Sequence, residues 1–317
     1  QQPRRRRRVS SILGIRVKIL GSNSAAPAHR RHHTAQLISI EGKYYLMDCG
    51  EATQLQLKRY KLRAQRINNI FISHLHGDHY LGLMGLLSTM HLMGRKEKLN
   101  LYGPKGLSEI ITMQLKYSET VFNYEINFVE VDTTIHKVVH EDDFVKVYSI
   151  PLNHRVPCSG YLFAEKKKNR RIKKDTLPAD FSVKNIIRLK HGEDILDEEG
   201  NLLYKNAALT LPARRSFTYA FCSDTKYDES IIPLIKDVDL LYHESTFMDE
   251  HAERASITYH STAKEAATIA KKAEVGKLIL GHFSVRYREL EPIRDEARTV
   301  FENADLAIEG EEFILED

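Results

Sequence analysis

The chain has no run of about eighteen apolar residues, the least a bilayer-spanning helix needs, although 42% of its 317 residues are hydrophobic. No membrane association is therefore expected. Cysteine is scarce: Cys49, Cys158 and Cys222 are the only three. They are too few and too scattered for a disulfide framework, and they fit a reducing cytosol. The opening QQPRRRRRVSS lacks the apolar core of a secretory signal. A general excess of one charge is missing too. The formal net charge is +4, but Arg4 to Arg8 supply five of the 47 basic residues, and without them 42 face 43 acidic ones. Basic character is thus local. The Arg4–Arg8 run is expected to form a disordered leader, residues 1–11.

What is present is a chain long enough for one large α/β domain or two ordinary ones. Strands are expected at 15–20, 36–40, 43–48, 70–73, 100–102, 126–131, 144–150, 217–222, 240–243, 277–280 and 312–315. Helices are expected at 52–60, 80–93, 107–116, 230–236, 262–273 and 292–302. Glu41-Gly42 marks a hairpin between two of the strands. Elsewhere strands alternate with helices. Together these patterns predict mixed β-sheets flanked by helices, an α/β fold, with no solenoid repeat.

The stretch 165–211 breaks the pattern, being charged and weakly periodic. It is read as an insertion in a domain spanning 12–317. Its basic run, EKKKNRRIKK, holds Lys166, Lys167, Lys168, Arg170, Arg171, Lys173 and Lys174. A dense run of one charge fits a solvated loop. It equally fits an arm that binds phosphate.

The densest chemistry lies in FISHLHGDH, residues 71–79. Neutral imidazole and carboxylate are good ligands for zinc and similar divalent ions. His74 and His76, two apart, point the same way from extended backbone. Gly77 permits a sharp turn, which displaces Asp78 and His79 to its far side. One segment can thus serve two neighbouring ions. Further ligands are needed, and three candidates follow short apolar strands: His154 in PLNHRV, Asp224 in FCSDT and His282 in LGHFS. Loops after strands suit this task because a rigid sheet holds them. His91 and His243 are read as packing residues. His29, His32 and His33 fall in a basic loop, AHRRHHT, read as solvated, with contact to RNA phosphate as the other reading.

The pattern His-x-His-x-Asp-His, followed by isolated His, Asp and His, resembles the metallo-β-lactamase superfamily. LGSNSAAPAHRRHHTAQLI, DCGEATQ, FISHLHGDHYLGLMGLL, FCSDT, HESTF, HST and GHFS resemble its ribonuclease Z branch, over residues 15–313. HESTF with His260-Ser261-Thr262 is what points to that branch. The resemblance implies a four-layer αββα sandwich of two mixed β-sheets flanked by helices. It implies endonucleolytic removal of the 3′ trailer of precursor tRNA, leaving a 3′ hydroxyl. It implies two Zn²⁺ per subunit, with Mn²⁺ as the other candidate. His74, His76 and His154 match the ligands of one ion, Asp78, His79 and His282 those of the other, and Asp224 the bridging carboxylate. Asp78 matches the base. His260 matches a histidine beside the scissile phosphate, and Glu244 is placed to orient it. A homodimer and a tRNA-gripping arm between His154 and Asp224 are also implied. Arms of this kind usually carry Gly-Pro, which TLPADFSVKNIIRLKHGEDILDEEGN lacks.

Two other readings stay open. One is a phosphodiesterase for small or cyclic substrates, since this centre serves many hydrolyses. The other is a nucleic-acid-binding subunit without catalysis, which the complete ligand set argues against. A β-lactamase proper is not expected, because HESTF and HST have no place in it.

Overall fold

The computed structural model describes residues 14–178 and 180–317. The expected leader, with Arg4–Arg8, lies outside them. The larger of two compact units carries two seven-stranded sheets. The first runs, in spatial order, Glu312–Leu315, Ile15–Gly21, Ala35–Ile40, Lys43–Met47, Ile67–Phe71, Leu99–Gly103 and Ile126–Glu130. The second runs Ala304–Leu306, Lys277–Gly281, Leu240–Glu244, Thr218–Cys222, Ser159–Glu165, Val145–Pro151 and Val138–Glu141. Each sheet is mixed. Lys43–Met47 through Ile126–Glu130 pair in parallel, as do Thr218–Cys222 through Ala304–Leu306.

Two-residue alternation along the strands builds the layers. In Thr218–Cys222, Tyr219 and Phe221 point into the cluster between the sheets, with Ile38, Tyr45 and Phe71 from the first sheet. Ala220 and Cys222 point the other way, onto Ala266, Ala270 and Ile293 of the covering helices. On the first sheet, Leu46, Ile70 and Leu101 pack against Leu57, Leu86, Met90 and Ile111. Helix, sheet, sheet, helix is therefore the order of the layers, as the resemblance implied. Filling so many buried strand positions on both faces is what keeps the strand ends rigid.

Several elements differ from their sequence patterns. The helix expected at 80–93 is observed as Leu83–Leu92, and a separate short helix, Gly77–Tyr80, precedes it where a turn was expected. A Cβ at Gly82 would collide with the Gly50 carbonyl oxygen, so the chain passes the Asp48–Gly50 turn at backbone contact. The segment near 230–236 is a 3₁₀ helix, Glu229–Leu234, with Pro233 inside, where an α-helix would lose a hydrogen bond. Strands Val138–Glu141, Ser159–Glu165 and Ala304–Leu306 and helix Ala252–Thr258 were not anticipated.

The smaller unit covers Glu165–Ser216. Arg171–Ile172 pairs antiparallel with Thr210–Leu211, and Ile195–Leu196 with Leu202–Tyr204. Helix Val183–Lys190 starts on Ser182, whose side chain accepts from the Asn185 amide, a standard N-cap. Leu189, Ile195 and Leu209 form a small core with Ile172 and Phe181. Asn206 ties it together, donating to the Leu189 and Glu193 carbonyls. The basic run is not uniformly solvated. Lys168 pairs with Glu165 at 3.0 Å, Arg170 donates to Thr210 Oγ1 at 2.9 Å, and Lys173 donates to the Ala207 and Ala208 carbonyls. Lys167, Arg171 and Lys174 are exposed.

Candidate metal centre

Strand ends bring the site together. Cys222 lies beside His243 and Glu244 beside Gly281 across parallel strands. The strand end at Glu244 and the loops that carry Asp224 and His282 therefore lie side by side, at the carboxyl edge where α/β sheets bind ligands. Strand Ile67–Phe71 of the other sheet delivers His74, and His76 precedes helix Gly77–Tyr80. His74, His76, His154 and Asp224 converge as one potential ligand set, and Asp78, His79 and His282 as another, ligand atoms within 4.8 Å of one another. Asp224, His260 and His282 also converge.

Asp224 faces both sets. Its Oδ1 lies 3.1 Å from Nε2 of both His79 and His282. Its Oδ2 lies 3.5 Å from His74 Nε2 and 3.7 Å from His154 Nε2. His76 Nδ1 sits 3.1 Å from Nε2 of both His74 and His154.

The outer nitrogens tell which ring atoms carry protons. His154 Nδ1 faces the Tyr259 carbonyl at 3.1 Å, which can only accept. His154 Nε2 is then a bare lone pair. Asp48 Oδ2 accepts from His79 Nδ1 at 2.6 Å and from Ser73 Oγ at 2.9 Å. With its proton spent, Ser73 Oγ accepts from His74 Nδ1 at 3.0 Å. Thr246 Oγ1 donates to Glu244 Oε2 and lies 2.8 Å from His282 Nδ1. All four rings thus turn Nε2 toward Asp224. That donor set, held from behind, fits divalent zinc-type ions.

Burial and the neighbouring His79 hold His74 well below its ordinary pKa. Burial disfavours charge on His79, but Asp224, Asp78 and Asp48 raise it well above the ordinary value. Burial pushes Asp224 up, yet His282, His79 and His74 hold it well below the carboxylate range. A dication would take the place of the proton that these carboxylates keep on His79.

Asp78 also accepts from the Ala25 amide at 2.8 Å. His260 Nδ1 lies 2.8 Å from Glu244 Oε1. Glu244 is fully buried and held by the Thr225 and Ser261 amides. Burial works against a charge on His260, but Glu244 lifts it to about 9. Asp78, His260, His282 and Asp224 line one cleft of about 360 Å³.

Sequence reasoning missed Asp48, Thr246 and Tyr259 as supports of the converging rings. DCG and HESTF held the signal for the first two. Tyr259 acts through its carbonyl at φ 61°, which no side-chain pattern reveals. One reading is corrected: His33 is not in a solvated loop. It is 8% exposed and lines the metal cleft. His32 is half-buried against Glu309 at 2.9 Å, and His29 Nε2 lies 2.8 Å from the Val285 carbonyl oxygen. His243 is buried against its own strand end and His91 packs on Phe122.

Ribonuclease Z of Cytophaga hutchinsonii is 51% identical over 305 residues, covering 96% of this chain and 97% of that protein. The chain belongs to the ribonuclease Z family. Ribonuclease Z of Parabacteroides distasonis is 46% identical, covering 93% of this chain and 97% of its own length. The human tRNase Z short form, ELAC1, superposes with a TM-score of 0.69 at 26% identity, over 94% of this chain and 98% of its own. YhfI of Bacillus subtilis, a metallo-β-lactamase fold protein, gives 0.67 at 19% identity over 95% and 99%, a likeness of fold alone. A family described as anti-Pycsar protein Apyc1 matches residues 15–154, less than half of the chain. Ribonuclease Z membership makes the chain an endoribonuclease, a metal-dependent phosphodiester hydrolase. Among the described residues, no helix is long and apolar enough to cross a membrane.

Proposed function

We propose that this ribonuclease Z family member removes the 3′ trailer of precursor tRNA in the cytoplasm, working as a homodimer with two Zn²⁺ per chain. One observation carries the reading: Asp224 presents one oxygen to each of two histidine sets while the Glu244–His260 pair opens onto the same cleft. His74, His76, His154 and Asp224 would hold one ion, and Asp78, His79, His282 and Asp224 the other. Bound there, the ions neutralise phosphate charge and lower the pKa of the attacking water.

The chain's own residues do the rest. Asp78, fixed by the Ala25 amide, orients the water and accepts its proton. His260, protonated because Glu244 stabilises its charge, donates from Nε2 to the leaving 3′ oxygen. The water oxygen bonds to phosphorus as the bond to that oxygen breaks. The products are a tRNA 3′ hydroxyl and a trailer with a 5′ phosphate. The arm Glu165–Ser216 offers the exposed Lys167, Arg171 and Lys174 to tRNA phosphates.

Mapping the ends produced from a trailer-bearing precursor tRNA tests this. A single cut with the stated ends is expected. Hydrolysis of only small or cyclic diesters would overturn it in favour of the phosphodiesterase reading, which the relatives do not favour.

A further inference from the structure

A second compartment, of about 480 Å³, adjoins the metal cleft. The two share Ser24, Ala25, Arg155 and His260 in their walls. The second is lined by Arg155, Arg254 and Arg286, and by no carboxylate. Among the described residues, none of these guanidiniums makes an ion pair. Elsewhere Arg188, Arg294 and Arg298 pair with carboxylates at about 3 Å. The chain has almost as many acidic as basic residues, so acids are not in short supply. All three arginines are exposed, so solvent screens their mutual repulsion and leaves the guanidiniums free to meet an anion. A phosphate suits them, since guanidinium matches its oxygens with paired hydrogen bonds.

Local sequence ties each arginine to the centre. Arg155 follows the ligand candidate His154. Arg286 stands four residues after His282 in the same loop. Arg254 sits on helix Ala252–Thr258, which leads into His260. The loops that place the metal-facing groups therefore also set the distance to the arginines.

We propose that this compartment is a phosphate subsite, holding the RNA backbone phosphate next to the one being cut. It rests on the reading of RNA as substrate. The subsite makes cleavage sensitive to whether the scissile diester has a phosphorylated neighbour.

The test uses Arg254→Ala, because Arg254 lines only the second compartment, with Arg254→Lys as a check on charge against fork geometry. Two rates are compared in the full-length protein: cleavage of an RNA, and hydrolysis of a small aryl phosphodiester with a single phosphate. The RNA-to-aryl ratio of kcat/KM is expected to fall about tenfold or more in Arg254→Ala, through KM, with partial recovery in Arg254→Lys. Inhibition of aryl ester hydrolysis by diuridine carrying a 5′ phosphate, or separately a 3′ phosphate, is expected to weaken by a similar factor for one of the two. That arm identifies the side of the cut. An unchanged ratio with unchanged inhibition overturns the subsite, as does an equal loss on both substrates. Were RNA not the natural substrate, dinucleotide inhibition would still be read on the aryl ester alone, so the two readings fail separately.

Discussion

His79, His74, His154 and His282 each use Nδ1 to engage a neighbour, and each neighbour differs: a carboxylate, a serine hydroxyl, a backbone carbonyl and a threonine hydroxyl. The common result is Nε2 aimed at Asp224. Holding it costs backbone freedom, since Asp224, His282 and Asp48 all adopt φ near 60°, where a side chain costs about 1–2 kcal/mol. Glu244 differs from these groups. It touches His260 and the hydroxyl of Thr246, not the ligand convergence itself. Glu244→Gln is therefore expected to lower precursor cleavage by about 10²–10⁴-fold while bound metal stays near the wild-type amount. Equal loss of metal and activity, read by elemental analysis beside single-turnover kinetics, would make Glu244 part of the metal shell. The converging side chains were legible because His-x-His-x-Asp-His is crowded within six positions and the others each follow an apolar strand. Their supports were less so. Tyr259 contributes only a carbonyl, and Thr246, two residues from Glu244, matters because folding brings it within reach of His282.

Among the elements, strands with strict alternation were read to within a few residues, because each face has its own buried neighbours. Leu240–Glu244 is an example, with Leu240 and Tyr242 between the sheets and Leu241 under the helices. Val138–Glu141 escaped because it is an edge strand with exposed ends, and Ala304–Leu306 because three residues hold no period. The break before helix Leu83–Leu92 has a tertiary cause. Gly82 donates to the Cys49 carbonyl, and the Cys49 amide donates to the His79 carbonyl. The turn bearing Asp48 and the segment bearing His79 are thus laced together. Gly82→Ala forces this contact open and is expected to cost about 1–3 kcal/mol, with weaker metal retention on dialysis. Thermal unfolding within error of wild type, with full metal retention, would show that the two segments tolerate separation.

At the scale of the molecule, two sheets supply opposite walls of the centre: His74, His76, Asp78 and His79 from one, His154, Asp224 and His282 from the other. The arm has its own small core and is expected to act on affinity, not chemistry. Changing Lys167, Arg171 and Lys174 to Ala should weaken precursor tRNA binding several-fold and flatten its salt dependence by about three units of slope at most, with aryl diester hydrolysis kept. Parallel loss on both substrates would instead mean damage to the fold. The account as a whole depends on the carboxylate between the two histidine sets. Its most direct test is the count of zinc ions per chain after metal saturation and dialysis, in wild type and in Asp224→Ala. About two per chain in wild type and a clear loss in the variant are predicted; a wild-type chain that retains none, or a variant that retains as many, would contradict it.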